Sequence, residues 1–367
     1  MAIDEIFFKA TPILMGVCPH SFAWVLGQKG PDRSGATWAA ALAGFESVQR
    51  VLSDGGTGLA KGVAALQQRQ NAAGRTPCSA GLDVFHLKRE GARALRRVWA
   101  AAEAVWEIAD AADRMWRRKR RQTGDNRGAA VRSYRAWEKA EAAYVEADRQ
   151  EQGWKRIAAA LEWFRPDGCL NDRAWAEAEM RAAQRDLTHT SWEKVKRALD
   201  DPRTLSFLDA VATQLAAAVP DAQLRWAVVE RWRLRHGRGE RTALREVQGA
   251  VQTEVCRKMS AAWRAAYDGV CAVLGRAVRA SSAVECVNSV IRMHQARQRN
   301  VGQGMLDLKR LWWNTRRFGS GKRKNKGPYE LLGIPDVSDF WTMLNANPEA
   351  LARQLGVLAD AENLSSS

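Results

Sequence analysis

The sequence predicts an α-rich α/β protein in which a mixed sheet with flanking helices is interrupted by a large all-helical insertion. Short apolar runs bounded by turn residues fill most of residues 1–87, which is typical of strands. Residues 88–279 are instead rich in Ala, Glu and Arg and show almost no strand pattern. After this block, residues 283–297 form an amphipathic pattern that suits a helix packed on a sheet.

Five strands are predicted in the first part of the chain, because apolar runs alternate there with Gly, Pro and Asp turns. The predicted strands cover residues 2–8, 12–17, 21–27, 48–53 and 81–87. Ala-rich and amphipathic patterns add helices over 37–45 and 59–68. Strands and helices in this order describe a sheet with helices on its faces.

The insertion is predicted to consist of long helices, and most of the sixteen tryptophans fall within it. Large aromatic side chains usually pack helices together, so we expect most of them to be core residues, with a few left for stacking on bases. The predicted helices cover residues 88–124, 129–164, 171–187, 204–219 and 241–279.

The domain organisation that follows has four segments. Residues 1–87 are the first part of the sheet domain, and 88–279 are the helical insertion. Residues 280–335 complete the sheet domain with helices over 283–297 and 304–318 and a basic loop, and 336–367 are a helical C-terminal tail.

The charge balance favours a polyanionic partner. The chain has 57 Lys and Arg against 41 Asp and Glu, a net charge of +16, and nucleic acid is the commonest partner of such proteins. No apolar stretch approaches the roughly 18 residues of a membrane helix, so a membrane partner is not expected. Six scattered cysteines without a CxxC pair fit a reducing, cytoplasmic compartment and argue against zinc.

Three acidic residues stand in positions that suit a site. Asp4 interrupts an apolar strand, where a carboxylate is costly unless it is compensated, and Glu5 points to the opposite face. Asp54 follows a strand directly, at the edge where ligand sites of α/β sheets gather. Glu285 shares a helix face with Asn288 and Arg292, and Val284, Val287, Val290 and Ile291 are expected to bury the other face. Each acid alone also fits an ordinary surface position.

Their order and contexts resemble the DDE transposases, which have a ribonuclease-H-like fold. The segments that carry the resemblance are Ala-Ile-Asp4-Glu5-Ile-Phe-Phe, Val-Leu-Ser-Asp54-Gly-Gly and the helix that starts Ser281-Ser282-Ala283-Val284-Glu285. Residues 311–318 and 327–333 are similar to the tail of many bacterial insertion-sequence transposases. The resemblance implies a DNA-cutting and DNA-joining enzyme with Asp4, Asp54 and Glu285 as catalytic metal ligands.

A further motif narrows the resemblance. Asp83-Val84-Phe85-His86 is similar to a signature on the fifth strand of transposases of the hAT and Mutator-like groups, which carry a helical insertion before the glutamate helix. Asp83, His86, Asn288 and Arg292 are therefore expected to support the active site. A lone His86 would also suit a satisfied core histidine.

The implied cofactor is a pair of Mg²⁺ ions, with Mn²⁺ as a substitute, because three carboxylates offer hard oxygen ligands to two ions about 3.5–4 Å apart. The implied partners are double-stranded DNA, as transposon ends and target, and further copies of the chain in a homodimer or higher oligomer. Basic residues after the insertion are the expected DNA contacts: Arg292, Arg297, Arg299, Lys309, Arg310, Arg316, Arg317, Lys322, Arg323, Lys324 and Lys326. The glycine-punctuated basic loop at 319–327 could close on phosphates, and a flexible, solvated loop is the alternative.

Two alternatives stay open at this point. Asp4 lies three residues after the start, and no helix-turn-helix for recognising transposon ends precedes it. A catalytically silent, truncated transposase that acts as a DNA-binding repressor or decoy would fit this. A host ribonuclease-H-like nuclease would share the acidic residues but fits the large insertion less well.

Overall fold

The computed structural model describes residues 1–122, 126–236, 260–278, 282–295, 301–334 and 339–345, with the single positions 247, 250, 251 and 337. The chain divides into two compact units. The sheet unit contains Met1–Ala80 and Ala280–Ser367, and the helical unit is Gly81–Arg279. The boundary after Arg279 is the one expected from the sequence. The boundary after Ala80 lies a few residues before the expected one, which was after residue 87.

The sheet has five strands: β1 (Ala2–Phe8), β2 (Thr11–Val17), β3 (Trp24–Lys29), β4 (Arg50–Ser53) and β5 (Ser79–Leu82). Their order across the sheet is β3-β2-β1-β4-β5. Strand β2 runs antiparallel to both β1 and β3, whereas β4 runs parallel to β1, with Ala2 opposite Leu52. The predicted α/β class with a mixed sheet is thereby confirmed, and β1 lies at its centre.

The described helices, in chain order, are α1 (Gly35–Ala41), α2 (Thr57–Ala72), α3 (Val84–Gln122), α4 (Arg127–Ala160), α5 (Arg173–Gln184), α6 (Glu193–Leu199), α7 (Ser206–Ala218), α8 (Ala222–His236), α9 (Ala261–Arg276), α10 (Ser282–Gln295), α11 (Gln303–Thr315), α12 (Pro328–Leu332) and α13 (Phe340–Asn345). Among them, none has the length and apolar character that crossing a membrane requires.

Helices α1 and α2 cover one face of the sheet. Ile3 and Leu14 from the strands pack there with Trp38 of α1 and Leu59 of α2, all of them buried. Because side chains alternate along a strand, Asp4 faces the opposite side of the sheet from Ile3 and Glu5. Helix α10 contacts β1 and β2, and the site described below lies with it on that other face.

Helix α11 closes the edge of the sheet at β3. Near its C-terminal end, the buried Asn314 accepts the Trp24 N–H (2.8 Å) and donates to the Trp24 carbonyl (2.9 Å). At its start, Gln303 accepts the Lys29 N–H (3.0 Å) and donates to the Gly27 carbonyl (2.8 Å). An exposed strand edge invites pairing with other chains. Two side-chain amides here take the place of a neighbouring strand.

The helical unit contains a long hairpin of α3 and α4 with a core of small and aromatic residues. Gly91 of α3 lies under the Trp154 ring, since a Cβ there would come within 2.0 Å of it. Trp154 in turn packs on Trp192, with ring centroids 5.6 Å apart. Buried Trp154, Trp192 and Trp263 agree with the expectation that most tryptophans form core, whereas Trp226 is 68% exposed.

Two parts of the sequence-based description differ from the structure. The predicted strand over 81–87 ends at Leu82, and α3 begins at Val84, because the Asp83 carboxylate accepts the Phe85 N–H (2.7 Å) as a helix-capping side chain does. Helices α6 and α8 were not predicted. Of the predicted helix over 241–279, Ala261–Arg276 is helical, and much of the remainder lies outside the described residues, as does most of the tail at 336–367.

We predict that Asn314→Ala lowers the free energy of unfolding by about 2–4 kcal/mol, because it leaves the buried N–H and carbonyl of Trp24 without partners. Gln303→Ala is the matched control, since it removes the same kind of amide from an exposed position where water replaces it, and should cost about 1 kcal/mol or less. Urea denaturation of both variants measures this. Equal losses of unfolding free energy would mean that the hydrogen bonds of Asn314 to Trp24 stabilise the fold no more than those of Gln303.

Candidate metal centre on the sheet face

Asp4 is a buried carboxylate in the central strand, with 6% of its surface exposed. Its Oδ1 accepts the Glu5 N–H at 2.8 Å, and its Oδ2 accepts the Asn288 Nδ2 of α10 at 2.9 Å. Burying a carboxylate is costly unless hydrogen bonds or a cation compensate it. These two donors hold the side chain in one orientation beneath α10.

Glu285 joins Asp4 on this face. One carboxylate oxygen of each residue lies within 4.8 Å of the other. The Glu285 side chain is only 18% exposed, and Arg292 donates to its Oε2 at 3.0 Å. Two carboxylates so close together repel each other, and a divalent cation between them removes that repulsion.

Asn288 lies on the buried face of α10, which corrects the expectation that it points away from the sheet with Glu285 and Arg292. It is fully buried, together with Val284, Val287 and Ile291. Its spacing of four from Val284 and three to Ile291 puts it within the apolar stripe. The hydrogen bond that the amide donates to Asp4 compensates for its burial. Its Oδ1 is a buried acceptor with no hydrogen-bond partner among the described residues.

Asp54 stands at the end of β4, beside Asp4 in the sheet. Because β4 is parallel to β1 with Leu52 opposite Ala2, two further residues bring Asp54 level with Asp4. Its Oδ1 accepts the Gly56 N–H at 3.0 Å, and Gly55 makes the turn with φ 84°, a conformation that favours glycine. The exposed Asp54 carboxylate does not lie within 4.8 Å of both Asp4 and Glu285.

Glu5 lies on the opposite face of β1. Its carboxylate accepts the Trp38 Nε1 of α1 at 3.2 Å and is 3.6 Å from the Arg33 guanidinium. The two adjacent acids of β1 therefore have different surroundings, and Glu5 is a natural control for Asp4.

Asp83 and His86 form a close pair at the start of α3, in the helical unit. The His86 Nδ1 is 2.6 Å from the Asp83 Oδ2, and Asp83 is buried. The carboxylate thus fixes the orientation of the imidazole. Their expected role near a scissile phosphate stays a prediction.

Several basic residues that were expected to contact DNA have structural partners. The Arg316 guanidinium lies 3.7 Å from the centre of the Trp313 ring, and burial lowers its pKa. Arg323 donates to the His20 carbonyl at 2.9 Å and stacks on Phe22, while Arg317 donates to the Asn325 carbonyl at 2.5 Å. These side chains brace the segment that follows α11.

The basic loop is compact. Phe318 donates to the Lys326 carbonyl at 3.1 Å, and Asn325 donates back to the Phe318 carbonyl at 2.8 Å. The loop backbone is thus held by hydrogen bonds of its own, and its contact with phosphates stays a prediction. Lys324 and Lys326 are exposed on it.

The remaining residues that were predicted to contact DNA differ in their surroundings. Arg310 pairs with Asp307 at 3.2 Å, and burial lowers the pKa of the Lys309 amine. Arg297 and Arg299 lie outside the described residues, as does the side chain of Lys322. Which of these cations contact DNA stays a prediction.

The donor set of the sheet face fits a hard divalent cation. Asp4 and Glu285 offer close carboxylate oxygens, and Asp54 offers a third at the neighbouring strand end. The buried amide oxygen of Asn288 has no partner in the described part of the chain. No protein-family model, no curated protein and no solved structure matches this chain. What the site does has to be inferred from its own residues.

We predict that Mg²⁺ or Mn²⁺ raises the thermal unfolding temperature of the protein relative to EDTA, because a ligand that binds only the folded state stabilises it by about 2.7 kcal/mol at 100 times its Kd. Asp4→Asn and Glu285→Gln should each lose most of this increase. Glu5→Gln keeps an acceptor for Trp38 and should retain it. A metal-dependent increase that survives Asp4→Asn and Glu285→Gln would place the cation elsewhere.

Proposed function

We propose that this chain is the catalytic region of a DDE transposase, a divalent-metal-dependent enzyme that cuts and joins DNA. One observation carries the proposal. Asp4 and Glu285, from opposite ends of the sheet unit's sequence, have carboxylate oxygens within 4.8 Å of each other on one face of the sheet. Together with Asp54 they are the three acids that the resemblance to this family requires.

The architecture supports a ribonuclease-H-like fold for the sheet unit. An antiparallel β1-β2-β3 meander continues through a parallel step to β4, which puts the strands of Asp4 and Asp54 side by side. The helical unit is inserted between β5 and the glutamate helix. The hAT and Mutator-like groups that the sequence resembles have their insertion in the same place.

In this proposal the chain's own residues have distinct tasks. Asp4, Asp54 and Glu285 would hold the metal, which supplies Lewis-acid stabilisation of the charge that develops on the phosphoryl oxygens. Asn288 positions Asp4 through its hydrogen bond, and Arg292 positions Glu285. No side chain has to act as a nucleophile.

The proposed reaction consists of two phosphoryl transfers. In the first, water attacks the phosphorus at a transposon end, a P–O bond to water forms, and the bond to the 3′ oxygen breaks. In the second, the freed 3′-hydroxyl attacks a target phosphodiester and releases another 3′-hydroxyl. Each step exchanges one P–O bond for another, so no external energy source is needed.

The proposed partner is double-stranded DNA, held at the sheet unit by exposed cations such as Lys324 and Lys326. Cutting and joining two transposon ends together requires two active sites. A homodimer or a higher oligomer on DNA is therefore part of the proposal.

We predict that Asp54→Asn reduces strand transfer by at least about 100-fold, since it removes a charged metal ligand while keeping the side-chain shape. DNA binding should persist, and Glu5→Gln should act like the parent. The assay uses oligonucleotides that carry the terminal sequences flanking the gene and that already end in a free 3′-hydroxyl. A plasmid serves as the target, and Mg²⁺ or Mn²⁺ as the metal. Parental activity in Asp54→Asn would exclude Asp54 from the site. A parent protein that binds these ends without joining them to the target would instead be a catalytically silent transposase.

A further inference from the structure

The far end of the α3–α4 hairpin concentrates positive charge. We define the hairpin tip as residues 114–122 and 126–135, which the structure describes. These residues include nine Lys and Arg and no acid, and one acid, Asp125, lies between them in sequence. At 1.5 Å per residue, the end of α3 lies about 55 Å from its first turn, so this charge is far along the hairpin.

The rest of the hairpin is electrically balanced. Residues 84–113 of α3 contain five basic and five acidic side chains, and residues 136–160 of α4 contain four and five. Solvated helix surfaces normally mix both signs in this way. The single-sign tip therefore needs a different explanation from the body of the same two helices.

The tip's charges repel one another, although Lys119, Arg120 and Arg121 in the last turn of α3 also interact favourably with the helix dipole. Like charges three or four residues apart on a helix repel each other, by a few tenths of a kcal/mol per pair. Arg114 and Arg117 pair with Asp110 and Asp113 at the base of the tip. Arg118, Arg121, Arg132 and Arg135 are exposed and make no ion pair within the part of the chain that the structure describes.

Apolar groups are exposed among these cations. Met115 is 54% exposed on α3, and Val131 and Tyr134 are 50% and 66% exposed on α4. On α4, Arg127, Val131, Tyr134 and Arg135 follow the spacing of one helix face. Cations beside small apolar contacts suit a phosphodiester backbone, whose sugars lie next to its phosphates.

We propose that the hairpin tip binds the backbone of double-stranded DNA, as a surface separate from the carboxylates of the sheet unit. The choice of DNA among polyanions rests on the proposed function. The contact itself needs neither a metal nor catalysis. In this proposal the helical unit binds duplex DNA without regard to its base sequence.

The test is DNA binding by the full-length chain in EDTA, with a 30-base-pair duplex of arbitrary sequence and several KCl concentrations. The tip variant changes Arg118, Arg121, Arg132 and Arg135 to Gln. The control variant changes four exposed cations elsewhere in the helical unit to Gln, at Arg181, Arg185, Lys194 and Arg197, and so has the same net charge. Circular dichroism and thermal unfolding check that both variants fold.

We expect the tip variant to reduce the slope of log affinity against log salt by about 2–4, since each lost phosphate contact contributes about 0.9. Its affinity near 0.1 M KCl should fall roughly tenfold or more. The control variant should keep the parental slope. Equal slopes for the tip and control variants would overturn the proposal.

Tip-dependent binding of the parent to phosphatidylserine vesicles, without tip-dependent binding to duplex, would also overturn it, because a basic surface with apolar groups would then serve a membrane. The two proposals fail separately. Loss of DNA binding in the tip variant would stand even if no metal-dependent cutting is found, and cutting by the parent would stand even if the tip proves inert.

Discussion

The hydrogen bond between Asp4 and Asn288 determines how the C-terminal helices meet the sheet. Asp4 is a nearly buried carboxylate in the central strand, and the cost of burying it requires donors of fixed position. Asn288 supplies one from a helix 284 residues away in sequence. Because Glu285 precedes Asn288 by three residues, one turn of the same helix brings it beside Asp4. The position of α10 and the meeting of the two carboxylates thus depend on one another.

The next helix has its own hydrogen bonds to the sheet. Helix α11 runs along the edge strand β3, where Asn314 and Gln303 replace the backbone partners of a missing strand. Arg316 and Arg323 then brace the compact segment after it against aromatic rings. Side chains that look available for phosphate in the sequence therefore hold the sheet unit together, and the hairpin tip retains the denser exposed charge.

Much of the sheet unit could be predicted from the sequence, since β1, β2 and β4 are apolar runs with clear turn residues between them. Asp4 and Asp54 stood out by their positions inside a strand and at a strand end, and Glu285 by its place on an amphipathic helix, but only the family resemblance linked the three acids. The burial of Asn288 could not be predicted in the same way. A polar amide is normally placed on the exposed face of a helix, and its hydrogen-bond partner on β1 lies 284 residues away in sequence. The capping role of Asp83 was missed for a related reason, since an Asp after an apolar run suits a strand end and a helix start equally well. The structural partners of Arg323 lie about 300 residues away in sequence, so no local pattern reveals them.

We propose that Asp4 and Glu285 form the core of a divalent-cation site on the sheet face. The most direct measurement is a crystal structure of the protein with Mn²⁺, using the anomalous scattering of the ion to locate it. We expect an anomalous peak within about 2.0–2.3 Å of carboxylate oxygens from both residues, with the Asp54 carboxylate drawn toward it. A well-ordered sheet face without a peak there, or a peak held by other residues alone, would contradict it.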